Sequence, residues 1–380
     1  TNIAIVNDNN LAASITNSCM KSNQEVAYQT VDINGEYTST GIWTNEYSYR
    51  GLLDSEVIAE PWAKVVITGD RNSDSKVDYF DGAIAYRDDI REERLGTEIV
   101  QNSYSSVAMN VGSVAQYPFL RILDNIKKFD LGTDGFGQNI IIKGYQSEGH
   151  DSDHPDFANI SERAGGEDDF RTLLEEAEKY NATIGVHINH TEAYPEATQY
   201  GSVVSNTAGW SWYDSAKQII RENDILDQEE GMEKRLDDLA EIAPGIDMVY
   251  VDVYSDDRWP AHKLSSKLND LGWAIASEYP QAFSSTSVWA HHLTSEYNNA
   301  GDLYHFVNHQ TQETFSYSNL FRGLRDRVNG FLGWQGASDY NETIQEFFTD
   351  VLPNKYLMNF PLMQWESNTK AILGENNEVV

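Results

Sequence analysis

Residues 247–280 read DMVYVDVYSDDRWPAHKLSSKLNDLGWAIASEYP. Positions 248–253 form an apolar, β-branched run broken by one acid, Asp252, as expected of a strand buried on both faces. Over 260–271 the pattern turns helical: Leu264, Leu268 and Leu271 fall at i, i+4 and i+7, with Pro260 in the first turn. Gly272 closes that helix, and a second short strand over 273–277 runs into Glu278. The unit is strand–helix–strand, with a carboxylate near the C-terminal end of each strand. In a parallel barrel these ends share one face, where active sites are built. Two carboxylates on neighbouring strands suit glycoside hydrolysis, one as nucleophile and one as proton donor. They suit a pair of strand caps as well.

Outward from this unit, short apolar runs alternate with amphipathic segments. Strands are expected at 107–111, 139–143, 184–189, 248–253 and 273–277, with weaker ones at 304–308 and 330–334 and an eighth at 358–364. Helices are expected at 118–129 and, rich in Glu, at 170–180. This repetition predicts an α/β fold, a (β/α)8 TIM-like barrel over residues 67–365. Residues 1–66 alternate apolar and polar with Asn, Asp and Gly punctuation, a β-rich N-terminal segment that Thr1 enters in mid-domain. Residues 366–380 resemble the start of a truncated C-terminal β unit. The chain therefore reads as an excised or processed piece, without sequence repeats or low-complexity linkers.

Composition narrows the function. The 380 residues are 40% hydrophobic and 12% aromatic, which excludes disorder and supplies a core for a barrel plus a smaller unit. The formal net charge of −33 argues against nucleic acid or an anionic membrane as partner and favours a neutral ligand, in keeping with a salty medium. No stretch approaches a membrane span, and the N-terminus shows no signal-peptide pattern. Cys19 stands alone, so no intrachain disulfide is expected.

Two clusters carry chemistry. Counted from Asp70, side-chain oxygens fall at Asp70, Asn72, Asp74, Asp78 and Asp81, loop positions 1, 3, 5, 9 and 12, with the Lys76 carbonyl at position 7. That is the spacing of an EF-hand-like calcium loop, although Ser75 stands at the usual Gly and Asp81 at the usual bidentate Glu. An Asx-rich turn leading into a helix at 80–90 is the plainer alternative. Five oxygens in register favour calcium, in a structural role. The second cluster lies at the expected strand ends: His150, Asp151, Asp153, His154 and Asp156 after the second strand, then His187, Asn189 and His190 after the third. Clustered His and Asp could ligate a metal. No zinc-site spacing accompanies them, so a hydrogen-bonding sugar site is preferred. Trp210 and Trp212, spaced i, i+2 among Gly, Ser and Asn, suit a wall for stacking on a sugar better than a core.

These residues carry a resemblance. The ordered motifs GDxNxDxxVDxxDGAIAYRD, KGYxSEGHDSxHPD, GVHxN, YPEA, NxAG…WxW, YVDV, GWxxxxE, NHQ and GWQGxxDY resemble the catalytic core of endo-α-N-acetylgalactosaminidases, glycoside hydrolase family 101, from about residue 66 to 365. The resemblance implies a (β/α)8 barrel acting outside the cell or at its surface. It implies release of Galβ1,3GalNAc from α-linkage to Ser or Thr of mucin-type glycoproteins, with retention of configuration. Asp252 matches the family nucleophile and Glu278 its acid/base. Asp151, His187 and the pair Trp210 and Trp212 match substrate contacts, Asn189 lies beside them, and Trp289 matches a further substrate Trp only with a gap. Tyr254 and Tyr279 stand where the family has Trp, which bears on fine specificity. Retention needs the two carboxyls about 5–5.5 Å apart. Asp252 would be ionised, while burial and the neighbouring anion would keep Glu278 protonated. No organic cofactor is required. An exo-acting α-N-acetylgalactosaminidase or a non-catalytic glycan-binding relative would share these features.

Overall fold

The computed structural model describes residues 4–18, 26–33, 37–44, 60–210, 215–255, 259–279, 282–283, 285–290, 331–332, 339–357, 359–366, 370–374 and 377–379. At the N-terminus β1 (Ala4–Asn7), β2 (Ala12–Asn17) and β5 (Ala63–Thr68) form an antiparallel sheet in the order β1–β2–β5. Between them, β3 (Val26–Ile33) and β4 (Tyr37–Thr44) pair as a hairpin. Helix α1 (Tyr79–Asp89) starts on a capping box: the Asp78 side chain accepts from the Phe80 N–H and Asp81 accepts from the Asp78 N–H. It lies close on β1 and β2, where a Cβ at Gly82 would overlap Ile5 and where Ser14 donates to the Gly82 carbonyl.

After α2 (Thr97–Asn102) the parallel strands begin: β6 (Ser103–Met109), β7 (Gly137–Lys143) and β8 (Ala182–Asn189), with α3 (Phe119–Gly132) and α4 (Gly166–Ala177) as crossovers. The loop segment beyond β8 builds a small antiparallel sheet from β9 (Glu192–Ala193), β10 (Val204–Ala208) and β11 (Lys217–Ile219), with α5 (Tyr200–Val203) between β9 and β10. Helices α6 (Arg221–Leu226) and α7 (Met232–Ile242) return the chain to β12 (Met248–Asp252), then α8 (Trp259–Asp270) leads to β13 (Ala274–Ser277) and β14 (Ser287–Ala290). With β15 (Phe331–Leu332), seven strands form one sheet in the order β14–β13–β12–β8–β7–β6–β15, and every pairing is parallel.

Alternation along these strands sorts the side chains. Val107, Ile141, Met248, Tyr250, Ala274 and Ala276 pack together on one face, inside the curved sheet. Ile140, Ile142, Val186, Ile188, Val249 and Val251 face the other way, onto the helices. Helix α3 contributes Phe119, Ile122, Leu123 and Ile126, α4 contributes Phe170, Leu173 and Leu174, and α8 contributes Leu264 and Leu268. Each such side chain, fully buried, stabilises by roughly 1.5–3 kcal/mol relative to exposure. The two-sided burial explains why the strands read as continuous apolar runs. The inward C-terminal ends of β7, β8 and β12 carry polar groups instead: Lys143, His187 with Asn189, and Asp252.

The fold is TIM-like α/β, with corrections at its margins. The first strand begins at Ser103, not at 107, because Tyr104 is buried against Phe129, Phe136 and Phe347 despite its polar neighbours. The sixth strand is Ser287–Ala290, too short to announce itself. The strand expected at 304–308 lies outside the described residues. The one expected at 330–334 contributes Phe331–Leu332, paired with the first strand. Among the described residues of 358–364 no strand joins the barrel sheet. Leu362–Glu366 forms an antiparallel sheet with Lys370–Leu373 and Asn377–Val379, because Leu362, Trp365, Ala371 and Leu373 bury against Phe80, Ala83 and Ile84 of α1. The first strand of this C-terminal sheet is Leu362–Glu366.

Candidate active site

Register brings the site together. On the inward face, Tyr250 lies opposite His187 and Asp252 opposite Asn189, while Val251 pairs with Ser277, so Asp252 and Glu278 follow at one level on adjacent strands. Adjacent strands are about 4.8 Å apart. Lys143 ends β7 on the same side. The loop after β7 is tightly wound against Asn110 at the end of β6. His150 donates its N–H to the Asn110 carbonyl at 2.7 Å, and a Cβ at Gly144 or Gly149 would meet that same oxygen at 2.2 or 2.8 Å. Asp151 adopts φ 64°, left-handed backbone that carries strain in a non-glycine residue. The result aims His150 and Asp151 at the strand ends.

Four buried groups converge there. His187 Nε2 lies 2.9 Å from Asp252 Oδ2 and 3.7 Å from Asp151 Oδ1, and His150 Nδ1 lies 3.1 Å from Asp151 Oδ2. A carboxylate only accepts, so Nε2 of His187 donates to Asp252. The Lys143 ammonium sits 3.8 Å from Asp252 Oδ1 and 4.6 Å from the centre of the Tyr250 ring. The His150 and His187 rings stack at 4.5 Å.

Charge follows from this packing. Burial would raise the Asp252 carboxyl, but Lys143 first, then His187 and His150, outweigh it and hold Asp252 well below the usual carboxylate range. Asp151 is also held low: burial opposes, and His150 and His187 overcome it against the charge of Asp252. Burial lowers His187 despite the pull of Asp252, and it takes His154 down to about 3. The centre therefore holds two carboxylates beside one ammonium. The ligand atoms of His150, Asp151, His187 and Asp252 lie within 4.8 Å of one another, a donor set able to hold a metal ion. The ammonium of Lys143 already supplies a cation to Asp252, which fits a sugar-binding acid pair better.

The remaining expected residues are placed as follows. Glu278 is half-buried; its N–H donates to the Val251 carbonyl at 3.0 Å and its Oε2 accepts from the Val253 N–H at 2.9 Å. Asn189 turns its side chain into its own loop, where Oδ1 accepts from Thr191 and Glu192 N–H groups and Nδ2 donates to Glu192. Trp210 is 65% exposed, its N–H held by Glu192 Oε1 at 2.5 Å, and the Tyr194 hydroxyl reaches toward both its carbonyl and Asp151. Trp212 lies outside the described residues. Trp289 is buried beneath the site, its ring 5.5 Å from Tyr250. Sequence reasoning passed over Lys143 as a site residue, along with Glu192 and Tyr194. The signal for Lys143 was a lone cation on the inward phase of an apolar run. In the calcium-loop candidate, Asp70 accepts from Ser73 and Ser75 N–H groups and Asp81 accepts from Arg71 as well as Asp78.

A parallel TIM-like sheet with a carboxylate pair at adjacent strand ends, ringed by polar and aromatic groups, is the arrangement of a barrel glycoside hydrolase. The family model described as "Endo-alpha-N-acetylgalactosaminidase" matches residues 80–344, and a "Galactose mutarotase-like fold domain" model matches 1–79. The chain belongs to the endo-alpha-N-acetylgalactosaminidase family, glycoside hydrolase family 101. A curated relative from Renibacterium salmoninarum, named "Putative endo-alpha-N-acetylgalactosaminidase", is 36% identical over 347 residues, 88% of this chain and 22% of the relative. The chain thus spans about a fifth of that relative's length. Among solved structures, ligand-free alpha-N-acetylgalactosaminidase NagBb from Bifidobacterium bifidum aligns with TM-score 0.60 and 14% identity, covering 98% of this chain and 72% of that one. Its GalNAc complex aligns with TM-score 0.57 and 14% identity, covering 97% and 70%. At this identity the likeness is one of fold. No helix among the described residues is long and apolar enough to cross a membrane.

Proposed function

We propose that this chain is the catalytic core of a retaining, endo-acting glycosidase that releases Galβ1,3GalNAc from α-linkage to Ser or Thr of mucin-type glycoproteins. The observation that carries the reading is Asp252: a buried carboxyl held ionised by Lys143 and His187, at the same level as Glu278 on the next strand. Oδ2 is engaged by His187, so Oδ1 attacks the anomeric carbon of GalNAc. Glu278 gives its proton to the Ser or Thr oxygen, then deprotonates the water that releases the sugar from Asp252. Asp151, anchored by His150, accepts from sugar hydroxyls, and Trp210 offers an exposed ring to the sugar's apolar face. Family membership favours endo action. The fold likeness to an alpha-N-acetylgalactosaminidase keeps an exo reading as the second choice. Incubation with 4-nitrophenyl Galβ1,3GalNAc α-glycoside should release the intact disaccharide. Cleavage of the GalNAc monosaccharide glycoside alone would make it exo-acting, and binding without turnover would make it a lectin-like relative. Such substrates place its action outside the cell or at a cell surface.

Calcium at residues 70–81 is a separate proposal. The fit is uneven: Asp78 and Asp81 serve the cap of α1, and the loop carboxylates are absent from the convergent groups found among the described residues. Crowded negative charge supports it. Asp78 is held above the usual carboxylate range, by burial first and then by Asp81 and Asp74. Asp70, Asn72, Asp74 and the Lys76 carbonyl would hold the ion. Excess chelator should lower the melting temperature more than activity; an unchanged melt and no calcium by elemental analysis would leave a plain turn.

A further inference from the structure

Val253 follows the proposed nucleophile and adopts φ 51°, a left-handed conformation that is an outlier for a β-branched residue. Strain of this kind persists only where the surroundings over-determine it. Both peptide groups of Val253 are held. Its N–H donates to Glu278 Oε2 at 2.9 Å, and its carbonyl accepts from the Thr191 hydroxyl at 2.8 Å. The Thr191 oxygen accepts in turn from Arg221 Nη2 at 2.7 Å, which orients its hydrogen toward Val253. Arg221 is fixed by the His190 carbonyl at 3.2 Å and by the Tyr254 ring 4.3 Å from its guanidinium carbon.

Resting on Glu278 as the proton donor, we propose that Thr191 and Arg221 are positioning residues that act through the Val253 backbone and assign the catalytic proton to Oε1 of Glu278. A peptide N–H only donates, so Oε2 must accept from Val253 whether Glu278 is ionised or protonated. The carbonyl oxygen of a carboxylic acid is a stronger acceptor than its hydroxyl oxygen, so the bond from Val253 favours the proton on Oε1, and Oε1 meets the glycosidic oxygen. If the Thr191 link is cut, Val253 relaxes toward ordinary backbone, its N–H swings from Oε2, and the proton is shared between two oxygens of which one is badly placed.

The test is leaving-group dependence of kcat/KM, which reports the glycosylation step. Thr191→Val should lower kcat/KM about tenfold on a threonine-linked glycopeptide, where protonation is needed, and less than about threefold on the 4-nitrophenyl glycoside. Thr191→Ser, which keeps the hydroxyl, should restore the glycopeptide rate. Arg221→Gln should act in the same direction, about threefold, because it frees the Thr191 hydroxyl to rotate; it stands in if Thr191→Val fails to fold. Equal losses on both substrates, or no rescue by serine, would overturn the relay. Glu278→Gln run alongside separates the failures. If that variant shows no leaving-group-dependent loss, the assignment of Glu278 itself is wrong; if it does and Thr191→Val does not, only the relay is wrong.

Discussion

Replacing Lys143 with methionine should move the acid limb of the pH profile upward while leaving the fold in place. Methionine keeps most of the buried stem and removes the charge. At 3.8 Å and an effective dielectric of about 20, the Lys143–Asp252 attraction is about 4 kcal/mol. His187 and His150 still favour the carboxylate in the variant, so the Asp252 carboxyl rises without losing all of its depression. The sign follows from the role: Asp252 must be ionised to attack, so a raised carboxyl loses activity at a higher pH as the solution is acidified. The assay is kcat/KM against pH on the 4-nitrophenyl disaccharide glycoside, whose leaving group needs little protonation. An acid limb at the wild-type pH, with the rate reduced equally at every pH, would show that Lys143 packs the site without holding Asp252 ionised.

Glu278→Gln should cost far more on glycopeptide than on activated aryl glycosides, by about 10²-fold or more, measured as the ratio of kcat/KM values. Trp210→Ala should narrow the preference for disaccharide over monosaccharide glycoside; because Trp210 is 65% exposed, its loss should change stability by no more than about 0.5 kcal/mol. A core role would show instead as a fallen melting temperature at unchanged preference. Asp224, bound to His190 and bidentate to Arg235, is brought down to about 2 from 3.8: burial opposes, and His190 and Arg235 prevail. A depressed carboxyl contributes stability above its unfolded value, here about 2 kcal/mol, and loses it as pH falls from about 4 toward 2. Asp224→Asn should therefore lower the melting temperature at pH 7 and converge on wild type near pH 2; a constant gap would refute the linkage.

The unit at 247–280 was legible because burial on both faces of β12 leaves one periodic signal, with Asp252 as its exception. Inward-facing side chains at a strand's C-terminal end are where this architecture puts chemistry, so Asp252, His187 and Glu278 could be placed by phase. Lys143 obeys the same phase and was passed over, since a single cation after Ile140, Ile141 and Ile142 reads equally as the end of a strand. Trp289, matched through the resemblance only with a gap, is carried by β14 and buried against Tyr250. Residues 358–364 were misplaced because Leu362 and Trp365 are apolar for the sake of α1, and no local pattern says which neighbour an apolar strand will meet. The backbone of Val253 was invisible for a related reason: its conformation is set by Thr191, sixty-two positions away.

The central claim, that Asp252 and Glu278 act as a retaining pair on an intact disaccharide, is tested most directly by following the first turnovers on 4-nitrophenyl Galβ1,3GalNAc α-glycoside by proton NMR. Two inversions in sequence leave the anomeric centre as it began. The account predicts that free Galβ1,3GalNAc appears first as the α-anomer, with the β-anomer growing in only by mutarotation, and that Asp252→Asn yields neither. Initial release of the β-anomer, or of GalNAc without galactose, would contradict it.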